Sequence, residues 1–276
     1  MNTDEKWMAY ALALGRRNMG QTAENPAVGC VITQGAGFKP IPVGIGWTQA
    51  GGRPHGETQA LLMAGDAARG ATAYVTLEPC HHHARTPPCS QALIDAGVSR
   101  VVLALRDPDQ RVAGQGIASL RRAGIEVVTG ILEEHARIDL AGFLTRKTKG
   151  RPHIMLKLAV SADGKIAARP GTPTRITGKP ASDRVHLMRA QCDGILVGVS
   201  TVLADDPQLT CRLAGLEDRS PVRLVSDSRL SIPLDSKLVQ TAHQSPLWVL
   251  TCNGADLDKA KALKDAGVTL VYCAST

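Results

Sequence analysis

The amino-acid sequence predicts an α/β protein built of two domains, on three observations. The chain has 276 residues, more than one ordinary domain holds. Apolar residues make up 43% of it, enough to bury cores, and no low-complexity tract interrupts them. Short β-branched runs alternate with Ala- and Leu-rich stretches along its length, the pattern of repeated β-α units and a largely parallel sheet.

The elements follow in order. Residues 4–18 set Trp7, Met8, Ala11, Leu12 and Leu14 near one face and predict a helix. AVGCVIT (27–33) and PVGIGWT (42–48) predict two antiparallel strands across a loop of turn residues. GETQALLMAGDAARG (56–70) predicts a helix ending near Gly70, ATAYVTL (71–77) a strand, and SQALIDAG (90–97) a helix stopped by its glycine. Strand RVVLAL (100–105), helix GIASLRRAG (116–124) and strand EVVTG (126–130) continue the alternation. Residues 133–152 predict a helix running into a basic linker. Its run 146–151 has no interleaved aromatics, so it suits a solvated linker better than a nucleic-acid contact. One domain is therefore expected over 1–147 and a second over 151–276. In the second, HIMLKLAVSADGKIA (153–167) predicts a strand with an Asp-Gly turn and 182–191 a helix. Residues 194–200, 222–228, 246–252 and 268–273 predict strands, with a helix over 256–267. The sequence stops directly after a strand, and the second domain is expected to be incomplete.

Composition narrows the classes. Aromatics are only 3%, which leaves little for stacking on single-stranded nucleic acid. Net charge is +7, which suits a phosphate-bearing ligand as well as a plain basic surface. No apolar run is long enough to cross a bilayer. The N-terminal stretch puts acidic residues first and Arg16 and Arg17 after its apolar part, the reverse of a signal peptide. A cytoplasmic protein without membrane or nucleic-acid partners is expected. Seven cysteines, an odd number, fit reduced thiols or a metal site better than a disulfide framework.

EPCHHHARTPPC (78–89) and PHGE (54–57) hold the chemistry. Zinc favours imidazole and thiolate, and a catalytic zinc keeps three protein ligands and one open position. His55, Cys80 and Cys89 form one such set. Each stands at a predicted helix start or just past a predicted strand, and such ends converge on the crevice at the carboxyl edge of an α/β sheet. Helix N-termini also favour thiolates. Glu57, in the first helical turn, is placed to move protons between a zinc-activated water and a substrate nitrogen without binding the metal. H-x-E followed by P-C-x-x-C is the arrangement of zinc nucleobase deaminases. His55, Gly56, Glu57, Pro79 and Cys80 reproduce it, but eight residues rather than two precede Cys89. Any one of these side chains alone reads as structural, a buried Cys as a small hydrophobe. A Cys80–Cys89 disulfide is the other bland reading. In order and together they point to catalytic zinc. His81, His82 and His83 are expected in a loop over the site, meeting an anionic part of the substrate or only solvent.

These stretches resemble the bifunctional riboflavin-biosynthesis deaminase–reductase family, which carries NPxVGCVI, HAE and EPCxHxGRTPPC in its deaminase half. They stand in this chain as NPAVGCVI (25–32), HGE (55–57) and EPCHHHARTPPC (78–89), and the wide cysteine gap is the family's own form. LKLAVSADGKIA (156–167) and LMRAQCDGILVGVSTVLADDPQLTCR (187–212) are similar to its reductase half. The resemblance covers most of the chain. It implies a zinc cytidine-deaminase-like three-layer domain followed by a partial dihydrofolate-reductase-like domain. It implies hydrolytic deamination of a diaminopyrimidinone carrying a phosphoribosylamino group, then NADPH-dependent reduction of the ribosyl chain to ribityl. A homo-oligomer is expected.

By motif position the resemblance implies Glu57 as catalytic residue and His55, Cys80 and Cys89 as zinc ligands. It places Asn25, His82, Arg189, Leu209 and Arg212 at substrate and Ala159, Arg175, Thr201, Asp205 and Ser228 at NADP, with Lys157 a weaker candidate. An arginine pair suits a phosphate; its bland alternative is an ion pair with Asp205 or Asp206. The chain departs from the family at Gly56, usually Ala, and at Thr48, often a substrate-contacting His. It departs again at Arg175, often Trp, and near Pro173, where a small polar residue is usual. The family's reductase continues into a Glu-Gly-Gly segment with a catalytic carboxylate, so a shortened reductase is implied. Two other readings stand beside this one. A deaminase of free or RNA-borne cytosine or adenine is opposed by the second domain and the scarcity of aromatics. A structural zinc or nucleic-acid-binding protein requires a fourth protein ligand.

Overall fold

The computed structural model describes residues 1–35, 40–81, 87–108, 113–169 and 174–274. They belong to two compact units, Met1–Met155 and Leu156–Thr276.

In the first unit, helix α1 (Thr3–Gly15) opens with a capping box. The Asn2 side chain accepts from Glu5 N and the Glu5 carboxylate accepts from Asn2 N. The expected helix ends in a 3-10 turn, Arg16–Asn18. Strands β1 (Gly29–Gln34) and β2 (Ile41–Trp47) pair antiparallel, with a bulge between Ile32 and Thr33. Helix α2 (Gly56–Ala64) stops short of Gly70 because Gly65 takes φ 52°, and the chain tightens into a 3-10 turn. Strand β3 (Thr72–Val75), helix α3 (Cys89–Asp95), strand β4 (Arg100–Leu103), helix α4 (Gln115–Arg122) and strand β5 (Glu126–Thr129) follow as the alternation predicts.

The sheet order is β2-β1-β3-β4-β5. β1 is antiparallel to both neighbours, while β3, β4 and β5 are mutually parallel. β2 therefore runs in the same direction as β3. Opposed residues of an antiparallel pair share a face, so Cys30 and Ile32 share theirs with Gly46 and Gly44. Those glycines let α2 lie directly on β2: a Cβ at Gly44 would stand 2.1 Å from Ala60 O. The opposite face of β1 receives α1, where a Cβ at Gly29 would stand 1.9 Å from Ala11 O. Helices thus cover both faces and make three layers. Met8, Val31, Ile32, Val75, Leu103 and Leu120 are fully buried between them.

Residues 133–149 form two helices, α5 (Glu133–Asp139) and α6 (Ala141–Lys149), where one helix and a linker were expected. Arg146, Lys147 and Lys149 lie in the last turn of α6, where cations offset the exposed carbonyls, and Gly150 closes it at φ 62°.

The second unit holds helix α7 (Lys179–Ala190), strand β6 (Gly194–Gly198), helix α8 (Val199–Asp205), strand β7 (Val222–Ser226) and helix α9 (Lys237–Gln240). Strand β8 (Leu247–Cys252), helix α10 (Leu257–Asp265) and strand β9 (Thr269–Cys273) complete it. Its sheet, β6-β7-β8-β9, is parallel throughout. Val225, Ile232, Leu238, Val249 and Leu263 form its core. The strand expected over 153–167 does not form. The Asp-Gly turn is present, with Ser161 N donating to Lys165 O and Gly164 at φ 77°. Among the described residues, however, no strand pairs with 153–160, and Ile154, Leu156 and Leu158 are exposed. An apolar run becomes a strand only when a neighbour takes its N–H and C=O groups. Among the described residues no helix is long and apolar enough to cross a membrane.

Candidate functional site

Because β2 and β3 run the same way, their carboxyl ends share one edge of the sheet. α2 starts beyond β2 and α3 beyond β3, so both helix starts meet there. His55 is the N-cap of α2, Cys89 is the first residue of α3, and Cys80 lies on the turn after β3. His55 Nδ1 is 3.3 Å from Cys89 Sγ and 3.7 Å from Cys80 Sγ. All three ligand atoms lie within 4.8 Å of one another. A tetrahedral zinc with Zn–S of about 2.3 Å and Zn–N of about 2.05 Å sets imidazole nitrogen and sulfur about 3.6 Å apart. The donor set therefore fits zinc in both chemistry and spacing. Among the described residues no fourth His, Cys, Asp or Glu joins the group, and three protein ligands is the number of a catalytic site. His81 turns to α3 instead: its Nδ1 is 3.1 Å from Ser90 Oγ, which donates to Cys80 O. His82, His83 and Pro173 lie outside the described residues.

The electrostatics suit a cation. A bond from the Cys89 thiol, then His55 and the Cys89 backbone N–H at 3.4 Å, hold the Cys80 thiol down at about 4. Cys89, bonded to Cys80 and buried, is pushed far above the ordinary thiol range. One sulfur ionises at the expense of the other, and a bound positive ion would let both ionise. Glu57 is 3% exposed. Burial first, then the Cys80 charge, raise its carboxyl to about 7, the range of a group that both takes and gives protons at neutral pH. His55 is raised by its bond to Cys80 in spite of burial, and its Nε2 is buried with no partner among the described residues.

Sequence reasoning missed what braces this site. Glu78, almost fully buried, accepts backbone N–H from Asp107 at 3.2 Å, Gly114 at 3.0 Å and Ile117 at 3.1 Å. It ties the turn carrying Cys80 to the start of α4. Ser90 braces the other side through Cys80 O. Thr48 is buried, accepts from Val28 N at 3.0 Å and donates to Pro26 O at 2.9 Å, so it pins the loop that carries Asn25. The Asn25 amide itself packs on Gly52, where a Cβ would stand 2.1 Å from its Nδ2.

In the second unit, Thr201 and Asp205 on α8 follow β6, and Ser228 follows β7, at the carboxyl edge where parallel sheets take nucleotides. Ala159 and Lys157 lie in the stretch without a strand. Arg175 is exposed and donates from Nε to Thr177 O. Among the described residues no hydrogen bond or ion pair joins Arg175 to Thr201, Asp205 or Ser228. Arg189 Nη1 donates to Thr210 O at 3.0 Å and Arg212 Nη1 to Thr210 Oγ1 at 3.3 Å, with Leu209 buried beside them at φ 59°. The bland alternative fails for Asp206, which pairs with Lys237.

Residues 1–105 match the family described as cytidine and deoxycytidylate deaminase zinc-binding region, and 152–275 match the RibD C-terminal domain. The chain is similar to riboflavin biosynthesis protein RibD of Aquifex aeolicus, 42% identical over 268 residues that cover 97% of this chain and 73% of that protein. It is 46% identical to RibD of Escherichia coli over 248 residues, 86% of this chain and 66% of that one. Among solved structures, Acinetobacter baumannii RibD superposes with a TM-score of 0.83 at 39% identity, covering 98% of this chain and 74% of its own. A Thermotoga maritima protein, a diaminohydroxyphosphoribosylaminopyrimidine deaminase/5-amino-6-(5-phosphoribosylamino)uracil reductase, gives 0.82 at 34%, covering 98% and 80%. With both halves present in order at these identities, the chain belongs to the RibD family of riboflavin biosynthesis proteins, enzymes that join a deaminase to a reductase.

Proposed function

We propose that the first unit deaminates a diaminopyrimidinone carrying a phosphoribosylamino group, and that the second reduces the ribosyl chain of the product with NADPH. The cluster of two sulfurs and one imidazole, with a buried carboxylate against it, carries this assignment. His55 Nδ1, Cys80 Sγ and Cys89 Sγ hold the metal. Zinc in such a site supplies the Lewis acidity that makes water nucleophilic near neutral pH. Glu57 takes the proton from the attacking water and passes protons to the ring nitrogen and the departing amine, which leaves as ammonia. Asn25 and His82 orient the pyrimidine. In the second unit Arg189 and Arg212 hold the substrate phosphate with Leu209 beside it, and Ala159, Arg175, Thr201, Asp205 and Ser228 hold the cofactor. NADPH supplies the hydride, and the protein's part is to set it against the sugar carbon. The free cysteines support a cytoplasmic setting.

Glu57→Ala tests the assignment. It should keep one zinc per chain by metal analysis while ammonia release falls by about a thousandfold or more. Unchanged turnover removes Glu57 from its role. Ammonia from cytidine or tRNA, with none from the pyrimidine phosphate, favours the nucleobase deaminase instead.

A further inference from the structure

We propose that His186 is a third member of the anion site of Arg189 and Arg212, donating from Nε2 to a phosphate oxygen of the substrate. This rests on the reading of that arginine pair as the phosphate holder. His186 and Arg189 are three residues apart on α7 and share a face. Both are bound to the strap that carries Arg212. Arg189 Nη1 donates to Thr210 O, and Arg212 N donates to His186 Nδ1 at 3.1 Å. The Arg212 guanidinium folds back onto Thr210 Oγ1. The second of these bonds decides the tautomer: Nδ1 accepts, so the proton of the neutral ring sits on Nε2.

The cluster has no counter-charge of its own. Among the described residues no carboxylate forms an ion pair with Arg189, Arg212 or His186. Asp183, the acidic group that bears on His186, is bonded to Lys179 at 2.6 Å, and Asp206 is taken by Lys237. Arg189 Nε is buried without a partner among the described residues. Burial and the Arg212 charge both disfavour the Arg189 cation. Burial, then the two arginines, keep His186 neutral against the weaker pull of the Thr210 carbonyl and Asp183. A phosphate dianion relieves all of these at once. Two guanidiniums supply charge, and a neutral N–H adds a directed donor without adding to their repulsion.

The test uses inorganic phosphate as probe, titrated into the whole chain labelled with nitrogen-15 at histidine. The wild type should show the Nε2–H tautomer at His186, with its Nε2 signal moving as phosphate saturates. Asn carries an oxygen near the Nδ1 position and no donor near Nε2; Gln carries its amide nitrogen near Nε2. His186→Asn should therefore weaken phosphate about tenfold while His186→Gln stays within about twofold. Wild-type affinity in His186→Asn overturns the proposal, as does an Nδ1–H tautomer. Equal loss in both variants overturns it too, because a donor at the Nε2 position would then make no difference, and loss in His186→Gln alone overturns it because the ring would then serve only to hold the Arg212 backbone. Arg212→Met separates the two readings. Lost binding there beside unchanged His186→Asn removes His186 alone, whereas unchanged binding in Arg212→Met removes the phosphate assignment of the pair.

Discussion

Single side chains with many backbone partners carry more of this molecule than their sequence context announces. Glu78 satisfies three backbone amides that lie 29, 36 and 39 residues away. Glu78→Gln keeps the shape but turns an NH2 toward N–H donors, leaving buried groups unmatched at about 1–3 kcal/mol each. Stripping of zinc by a chelator should then speed up about tenfold, as for other residues that brace ligands; an unchanged rate would confine Glu78 to the loop it closes. Asp4 shows a charge whose effect depends on pH. It accepts two bonds from Arg100 at 2.9 Å and one from Tyr74 at 3.0 Å. The Arg100 bond, foremost, lowers its pKa below the ordinary 3.8. A depressed carboxyl stabilises the fold above its unfolded pKa, and that contribution disappears as pH falls through the folded value. Asp4→Asn should cost about 1 kcal/mol at pH 7 in denaturant melts, and the two melts should converge once the pH has fallen below the depressed folded value. A gap that persists there would mean the loss is one of packing. His55, Cys80, Cys89 and Glu57 were legible because each pair of functional groups comes within one short motif whose spacing has chemical meaning. Glu78 was not, because backbone donors leave no residue signature.

At the scale of elements, the sequence pattern locates strands well and their neighbours poorly. β3, β4, β5 and β8 fall inside their expected runs, and β1 overruns its own by one residue, because β-branched alternation is a local property. The run 153–167 has the same alternation and forms no strand, since pairing depends on a second segment. β7 carries the converse case. Arg223 sits on its buried face, fully enclosed, because its guanidinium reaches Thr241 Oγ1 at 2.8 Å, Thr241 O at 3.1 Å and the carbonyls of Gln208 and Ser245. Helix-on-strand packing was equally hidden, though its marks are glycines. Gly29→Ala sets a methyl 1.9 Å from a backbone carbonyl of α1, which no side-chain rotation relieves. It should destabilise the first unit by about 3 kcal/mol or more. Gly142→Ala, on α6 with open space around it, should stabilise by about 0.5–1 kcal/mol. Equal effects from the two would remove the close contact of α1 and β1 as the cause.

On the scale of the whole molecule, the two cores share no residue, and each cofactor belongs to one of them. On the proposed assignment, zinc stabilises what folds around His55, Cys80 and Cys89, and NADPH what folds around α8 and β7, since a ligand stabilises the state that binds it. The tryptophans report on the cores separately: Trp7 and Trp47 pack against the first, and Trp248 lies on β8 of the second. In a Trp248→Phe chain the fluorescence melt reads the first unit, and chelation should lower its midpoint by about 5 °C or more while NADPH leaves it in place. In a chain with Trp7→Phe and Trp47→Phe the remaining indole should respond to NADPH and ignore the chelator. Each ligand moving both midpoints alike would show that the cores melt as one cooperative body, in which zinc binding at the sheet edge of β2 and β3 stabilises the reductase sheet as well. Chelator movement confined to Trp248 would instead place the metal in the wrong unit altogether, against the spacing of the three ligand atoms.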